Sequence, residues 1–475
     1  MMTDVSLPRW LVLFLAVLAA WAVLDRILVP SVRWFIRQRT NRVLDQVRHR
    51  LRLEIRPFQQ TKRQVLIDRL LFSPKVMEAV EAHAREEGMP RELAMARAER
   101  YAREIVPTFN AYLYFQVGYW LARRLAELLY RVRVGFVDES GLEGVGPDDT
   151  VIFVMNHRSN MDYVLVAYLA ADRAALSYAV GEWARIWPFH MLIRSMGAYF
   201  VRRNSRNALY RRVLEGYVAM ATEAGVTQAI YPEGGLTRDG LTRPPKLGLL
   251  EYMLRGFKSQ GKGDLLLLPV GINYDRTLED RTLLRDDKEE SRTRLTARAL
   301  GTTTSFLWRN LVLALGNRWY RFGYACVNFG APISLRTFLD RLGVDDLEAL
   351  SREERFQVVE ALGQVVMEGV KEVIPVLPVS LVATVLVEDG QEPLTAMGLK
   401  ARVERLIQKL EERGAHLYVP RKDRDYAFTV GLRMLTLRKV VVEEDGLYRP
   451  VAQELPLLRY YANAIRHHLD EAPTP

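Results

Sequence analysis

Five apolar residues, Val151-Ile-Phe-Val-Met155, run without a charge into the polar cluster Asn156-His-Arg-Ser-Asn-Met-Asp162. A run this short and β-branched reads as a strand buried on both faces, which commits the chain to a sheet covered on two sides. Tyr163 to Leu169 is apolar-periodic and reads as a helix opened by Asp162. The polar cluster therefore sits where a strand hands over to a helix. In open α/β sheets that junction, at the carboxyl end of a strand, is where ligands bind and helix amides meet anions.

The spacing of His157 and Asp162 carries a geometric condition. In one regular helix, residues five apart lie roughly 140° apart around the axis and cannot touch. With His157 in the loop and Asp162 in the first turn, the carboxylate reaches the imidazole, fixes its tautomer and stabilises the imidazolium. Such a pair is a general base, and its nucleophile can be a substrate hydroxyl rather than a serine or cysteine. The spacing alone is thin evidence. With seven histidines, and 57 acidic residues among 475, it arises about once by chance, and His49 with Glu54 is an example. For the isolated pair, a capped helix start with a satisfied histidine competes with catalysis.

A chain of 475 residues has room for about two to three domains, and 49% hydrophobic with 26% charged is ordinary globular composition. The single Cys326 excludes an internal disulfide framework and a multi-cysteine metal site. No metal site is expected, since His467-His468 reads as a solvated helix end. A net charge of +10 favours anionic partners: nucleic acid, a membrane surface, phosphates or an acidic carrier protein. Trp10 to Leu24 is an unbroken apolar run of 15 residues, about 22 Å as a helix against a hydrocarbon core of roughly 30 Å. A transmembrane anchor, an interfacial helix and a cleaved signal are all open to it, the anchor being favoured. Arg26, Arg33, Arg37, Arg39 and Arg42 follow it and place the rest of the chain in the cytoplasm.

Four regions follow: an N-terminal membrane helix in 1–30, a helical region at 31–137, an α/β domain at 138–375 and a helical region at 376–475. Within the second, 109–137 mixes aromatics and leucines with Arg123, Arg124, Arg131 and Arg133, which suits a basic amphipathic helix at a membrane surface or a plain core helix. Strands are expected at 151–155, 176–180, 198–201, 227–231, 264–272 and 322–329, with an amphipathic helix from Ala208 to Thr222. This alternation predicts a mostly parallel central sheet flanked by helices. Glu279 to Arg298 mixes acids and bases and reads as a mobile surface insertion rather than a nucleic-acid arm. Helices are expected again at 376–387, 398–413, 425–437 and 455–469.

Three more clusters sit at strand ends. Gly197-Ala-Tyr-Phe-Val-Arg-Arg203 closes an apolar segment with two guanidiniums suited to a phosphate. Tyr231-Pro-Glu-Gly-Gly-Leu-Thr-Arg-Asp-Gly240 joins glycines that allow close backbone approach to Glu233, Thr237 and Arg238, with Lys246 following. Leu265 to Arg276 is a buried strand ending in polar residues. Arginine pairs and Gly-Gly turns are individually common, but the coincidence of all four clusters points to a site.

In order and spacing, His-Arg-Ser-Asn-Met-Asp (157–162), Gly-Ala-Tyr-Phe-Val-Arg-Arg (197–203), Pro-Glu-Gly-Gly-Leu-Thr-Arg (232–238) and Leu-Pro-Val-Gly-Ile (268–272) resemble the four blocks of the glycerolipid acyltransferases. Pro-Lys-x-Gly (245–248) and Arg-Tyr-Tyr-Ala-Asn (459–463) resemble the bacterial glycerol-3-phosphate acyltransferases in particular. The resemblance covers about 140 to 375 well and 376 to 470 more loosely. It implies the glycerolipid acyltransferase fold and transfer of an acyl chain from acyl-CoA or acyl carrier protein to glycerol 3-phosphate. The product would be lysophosphatidate, in the first step of phospholipid synthesis, with no cofactor beyond the thioester cosubstrate. His157 would be the base and Asp162 its orienting partner. Arg202, Arg203, Arg238 and Lys246 would hold the phosphate, and Glu233, Gly234, Gly235 and Thr237 would shape the acceptor pocket. Leu236 stands where many members carry an arginine, which puts that phosphate contact in doubt or moves it to Arg238. The implied location is the cytoplasmic face of the inner membrane, with anionic lipid as partner and no nucleic acid. Dihydroxyacetone phosphate or lysophosphatidate as acceptor, and a catalytically silent lipid-binding homologue, are the other readings.

Overall fold

The computed structural model describes most of residues 56–470; the stretches 1–55, 285–321 and 471–475, and short internal ones that include 171–174, 182–188 and 203–204, lie outside the described residues. The expected N-terminal membrane helix, Arg203 and the charged insertion from residue 285 onward therefore fall outside it. Among the described residues, no helix is long and apolar enough to cross a membrane.

All six residues of the strand Thr150–Met155 are buried, and period-two alternation sends them to opposite faces. Val151, Phe153 and Met155 enter a core closed by the helices Tyr119–Leu129 and Met161–Ala170. Ile152 and Val154 enter another, built with the helices Arg63–Leu71, Pro74–Glu86, Arg91–Ile105, Ala208–Glu223 and Arg352–Glu372. The sheet is thus covered on both sides, as the opening run required.

The strands in chain order are β1 (Arg131–Val137), β2 (Thr150–Met155), β3 (Ser177–Val180), β4 (Tyr199–Phe200), β5 (Gln228–Ile230), β6 (Leu265–Tyr274), β7 (Tyr324–Phe329) and β8 (Ile333–Ser334). They lie in the order β1-β7-β6-β2-β5-β3-β4, with β8 beside β6. β6, β2, β5, β3 and β4 run parallel, while β7 and β8 run against β6. The mostly parallel sheet is therefore present, and the loops after β2, β5 and β6 leave from one edge as neighbours. The helix expected over 208–222 is Ala208–Glu223, capped by the Asn207 side chain, which accepts from Tyr210 N at 2.8 Å.

Three expectations need correction. The segment 109–137 is not one helix: a π-helical stretch, Leu113–Gly118, runs into Tyr119–Leu129, and the chain then enters β1. The Arg131-Val-Arg-Val134 alternation is the period of an edge strand, with charges on the open side. β1 pairs with β7, and the helices between 63 and 105 share a core with Ala208–Glu223, so the structure does not divide at 138. The C-terminal region forms the expected helices, as Pro378–Glu388, Ala396–Glu412, Arg424–Leu437 and Leu455–Asn463. It also holds a small antiparallel sheet of β9 (Leu394–Thr395), β10 (Val441–Glu444) and β11 (Leu447–Pro450).

At Gly271 in β6 another part of the chain passes close over the sheet: a Cβ there would lie 2.2 Å from the carbonyl oxygen of Val373, just past the Arg352–Glu372 helix. Backbone, not a flexible side chain, would have to move. Gly271→Ala is expected to destabilise by about 3 kcal/mol, the upper range for overpacking, as a lowered midpoint in urea unfolding followed by circular dichroism. An unchanged midpoint would refute this contact.

Candidate active site

β2 ends at Met155, but Asn156 extends its ladder with a side chain. Its amide donates to Ile272 O and accepts from Ile272 N, both at 2.8 Å, tying the junction to β6. The loop then turns, fixed by Thr237 N donating to His157 O at 3.0 Å and His157 N donating to Glu233 Oε1 at 3.0 Å. The helix begins at Met161, so His157 lies outside the helix that contains Asp162, as the spacing demanded. From the first turn, Asp162 reaches back. Its Oδ2 accepts from His157 Nδ1 at 2.9 Å, Arg158 N at 2.8 Å and Ser159 N at 3.0 Å, and its Oδ1 from the Tyr274 hydroxyl at 2.5 Å.

The carboxylate assigns the imidazole proton to Nδ1, which leaves the lone pair on Nε2. Nε2 is buried and has no hydrogen-bond partner among the described residues. The ring stacks on Tyr231, with centroids 4.2 Å apart, and meets Tyr163 edge-on at 5.4 Å. Two aromatic walls thus hold a basic nitrogen in a dry environment. That arrangement can take a proton from a hydroxyl brought against it.

Two more carboxylates brace the loop. Buried Glu233 accepts from His157 N with one oxygen and from Arg243 N, at 3.2 Å, with the other. Burial pushes its carboxyl up to about 7, against the pull of those two backbone bonds. Glu279 accepts from the Ser159 hydroxyl at 2.7 Å, and from Asn160 N and Nδ2 at 3.2 and 3.0 Å; burial raises its carboxyl too. Next to it, buried Asp280 pairs with Arg438 at 2.6 Å. Glu279 and Asp280 were expected to open a mobile insertion, but they are anchored in the site's wall. Mixed charge in sequence cannot distinguish a solvated run from one whose first members find buried partners.

The other expected residues separate into groups. Gly234 adopts φ +70°, and a Cβ there would lie 2.6 Å from Lys246 Cδ, so the lysine lies across the glycine. Gly235 follows, half-buried, and Arg238 and Lys246 are exposed, neither in an ion pair among the described residues. Thr237 is a loop builder: its buried hydroxyl donates to Leu241 O at 2.8 Å and accepts from Gly240 N at 3.1 Å. Arg202 stands apart. Its guanidinium forms a forked pair with Glu104 at 2.6 and 2.9 Å, between the rings of Tyr101 and Tyr210. It follows β4, three strands from β2 and so roughly 14 Å across the sheet.

Several residues had no role in the sequence reading. Tyr274 ends β6 and donates to Asp162, and Tyr231 follows β5 and stacks on His157. Arg158 buries its guanidinium to donate to Gly240 O at 3.1 Å and Ala464 O at 3.0 Å. The late Arg-Tyr-Tyr-Ala-Asn block explains itself here: Asn463 Nδ2 donates to Asp239 O at 2.8 Å, and Tyr461 donates to Asp280. The available signal was its company with the other blocks. Among the described residues, no cluster of His, Cys, Asp or Glu could hold a metal ion.

Two family models match the chain: the Acyltransferase family over residues 136–273, and the glycerol-3-phosphate acyltransferase C-terminal region over 309–471. A glycerol-3-phosphate acyltransferase of Aeromonas hydrophila is 28% identical over 421 residues, covering 85% of this chain and 50% of its own length. Those of Pseudomonas putida, 28% identical over 85% of this chain and 49% of theirs, and Actinobacillus succinogenes, 27% over 86% and 50%, are similar. A crystal structure of a 1-acyl-sn-glycerophosphate (LPA) acyltransferase from Thermotoga maritima aligns with 54% of this chain and 78% of its own, at 19% identity and a TM-score of 0.31. The chain spans about half the length of the curated relatives it matches. The two models match successive parts of the chain and the relatives run across both, so the chain is similar to the bacterial glycerol-3-phosphate acyltransferases along most of its length.

Proposed function

We propose that this chain transfers an acyl group from a thioester, acyl-CoA or acyl carrier protein, to the sn-1 hydroxyl of glycerol 3-phosphate, giving lysophosphatidate. The observation that carries the reading is His157: Nδ1 is held by Asp162 at 2.9 Å, and Nε2 is buried and unpartnered. Nε2 takes the hydroxyl proton as the oxygen attacks the thioester carbonyl. The tetrahedral intermediate then expels the thiolate, which takes the proton back from the imidazolium. No further cofactor enters this scheme. Exposed Lys246 over Gly234, with Arg238 on the same loop, is the phosphate site in this reading, since Arg202 already has Glu104. The family relatives favour glycerol 3-phosphate over dihydroxyacetone phosphate and lysophosphatidate as acceptor.

We also propose attachment to an anionic membrane surface, the cytoplasmic face of the inner membrane. Supporting it is a helix with its polarity reversed. Tyr114, Phe115, Gly118, Ala122, Ala126 and Leu129 face inward, several of them small, whereas Val117, Trp120, Leu121 and Leu128 are 37%, 57%, 41% and 38% exposed. Arg123 and Arg124 border this outward stripe.

His157→Ala is expected to lower kcat by about 10²–10⁴-fold with an unchanged circular dichroism spectrum. The assay uses radiolabelled glycerol 3-phosphate and offers acyl-CoA and acyl carrier protein separately, with the other two acceptors as competitors. Normal turnover in the variant would sink the mechanism. Trp120→Glu combined with Leu121→Glu is expected to reduce flotation of the full chain with phosphatidylglycerol vesicles, and equal flotation would remove this helix from the membrane reading.

Glu233 gives a pH test. Its carboxyl binds protons more tightly in the folded state, at about 7, than at the ordinary 4.5 of the unfolded chain. Its contribution to stability is thus fully present below pH 4.5 and is lost as pH rises through 7. Glu233→Gln cannot ionise, so the stability difference between parent and variant should change by up to about 3 kcal/mol across that window, read by denaturant titration at each pH. A constant difference would show that the backbone hydrogen bonds and the Arg158 charge cancel the effect of burial.

A further inference from the structure

We infer that Tyr274 is a positioning residue of the His157–Asp162 pair: its hydroxyl holds Asp162 Oδ1 so that Oδ2 faces the imidazole, and it tunes how strongly the carboxylate draws on the ring. The inference rests on His157 being the general base.

The fold gives Tyr274 this place through strand length. β2 pairs with β6 only as far as Met155 opposite Val270, while β6 continues to Tyr274. The overhang is kept straight by β7, with Tyr274 opposite Ala325, and by Asn156 bonded to Ile272. It carries the phenol past the end of β2 and over the loop where Asp162 points back. The ring is 1% exposed and packs on Tyr130 at 5.2 Å, so it has one place to stand.

The two oxygens of Asp162 are unequally served. Among the described residues, Oδ2 takes His157 Nδ1 and two backbone amides, whereas Oδ1 takes only the Tyr274 hydroxyl, at 2.5 Å. Without that hydroxyl, Oδ1 is a buried carboxylate oxygen with no donor, and the carboxyl plane loses the contact that resists its rotation. Burial and the facing carboxylate raise the phenol well above its ordinary pKa, so it remains a donor throughout an assay range. A donor removed from one oxygen concentrates charge on the other, and a more basic carboxylate holds the imidazolium longer.

The other titratable or charged groups facing the pair are Arg158 on the loop, Tyr163 on the helix, Tyr231 and Glu233 after β5, and Glu279 after β6. Neither Glu233 nor Glu279 bonds to Tyr274, so each contributes equally to parent and variant profiles.

The test is the pH profile of kcat/KM for glycerol 3-phosphate in the full chain. Tyr274→Phe should keep KM, lower kcat about tenfold, the loss usual for a group that orients a functional histidine, and move the acid limb to higher pH. A 3-fluorotyrosine at 274, a stronger donor of the same shape, should move the limb to lower pH and covers the case in which Tyr274→Phe does not fold. The shifts should persist in a Glu233→Gln background, which separates them from Glu233 titration. A limb unmoved in both variants, or a change in KM alone, overturns the inference. His157→Ala runs alongside: if it stays active the general-base reading fails, whereas if it is inactive and the limbs do not move, only the role of Tyr274 fails.

Discussion

A carboxylate with no solvent exposure sets the terms for the centre of this molecule. Burying a charge without partners costs several kcal/mol, and Asp162 meets that demand with donors from three places: the loop after β2, the imidazole on it, and the end of β6. Each donor requires a piece of architecture. The two backbone amides require the chain to turn back on the helix start, and the phenol requires β6 to outrun β2. The imidazole requires a histidine that has not yet entered the helix. One side chain therefore couples the register of the sheet to the tautomer of His157.

The same junction is reached from the far end of the chain. Gly240 sits at φ +84°, with room for no Cβ, because one would fall 2.0 Å from the carbonyl oxygen of Tyr460. Arg158, beside His157 in sequence, spans the seam by donating to Gly240 O and Ala464 O. Asp280 is held by Arg438 and Tyr461. The helix Leu455–Asn463 thus grips the loops that follow both β5 and β6. The C-terminal region works as a clamp on the walls of the site, a mechanical reason for an Arg-Tyr-Tyr-Ala-Asn block to accompany the earlier ones.

What could be read from sequence follows from range. Residues 151–162 were legible because their meaning is local: a buried strand, a turn, a helix start, and a spacing that works only across that boundary. Six strands were placed to within a residue or two for the same reason. Strand order is not local, and it decided the fate of the arginines. Four blocks that look equivalent along the chain divide into three that flank β2 and one, at β4, on the far side of the sheet, where Arg202 meets Glu104. β1 was missed because a stretch holding arginines and apolar residues satisfies both the helical and the strand period over a few residues. The role of Glu233 as a brace was not legible, since backbone amides leave no mark in sequence.

The reversed helix gives these parts a common direction. Tyr119–Leu129 turns Ala122, Ala126 and Leu129 toward the protein and Trp120, Leu121 and Leu128 outward, and Ala126 and Leu129 share a core with Met161, Leu165 and Val166 of the helix that carries Asp162. Tyr168 on that helix also donates to Glu127 at 3.3 Å. Close packing transmits displacement, and the small inward residues bring the two helices near. A surface that settled against Trp120 and Leu121 would lie one helix layer from the carboxylate. In the proposed reaction the acyl donor and the lysophospholipid product are both amphipathic, and placing His157 one layer beneath such a surface would shorten the path their chains travel through water.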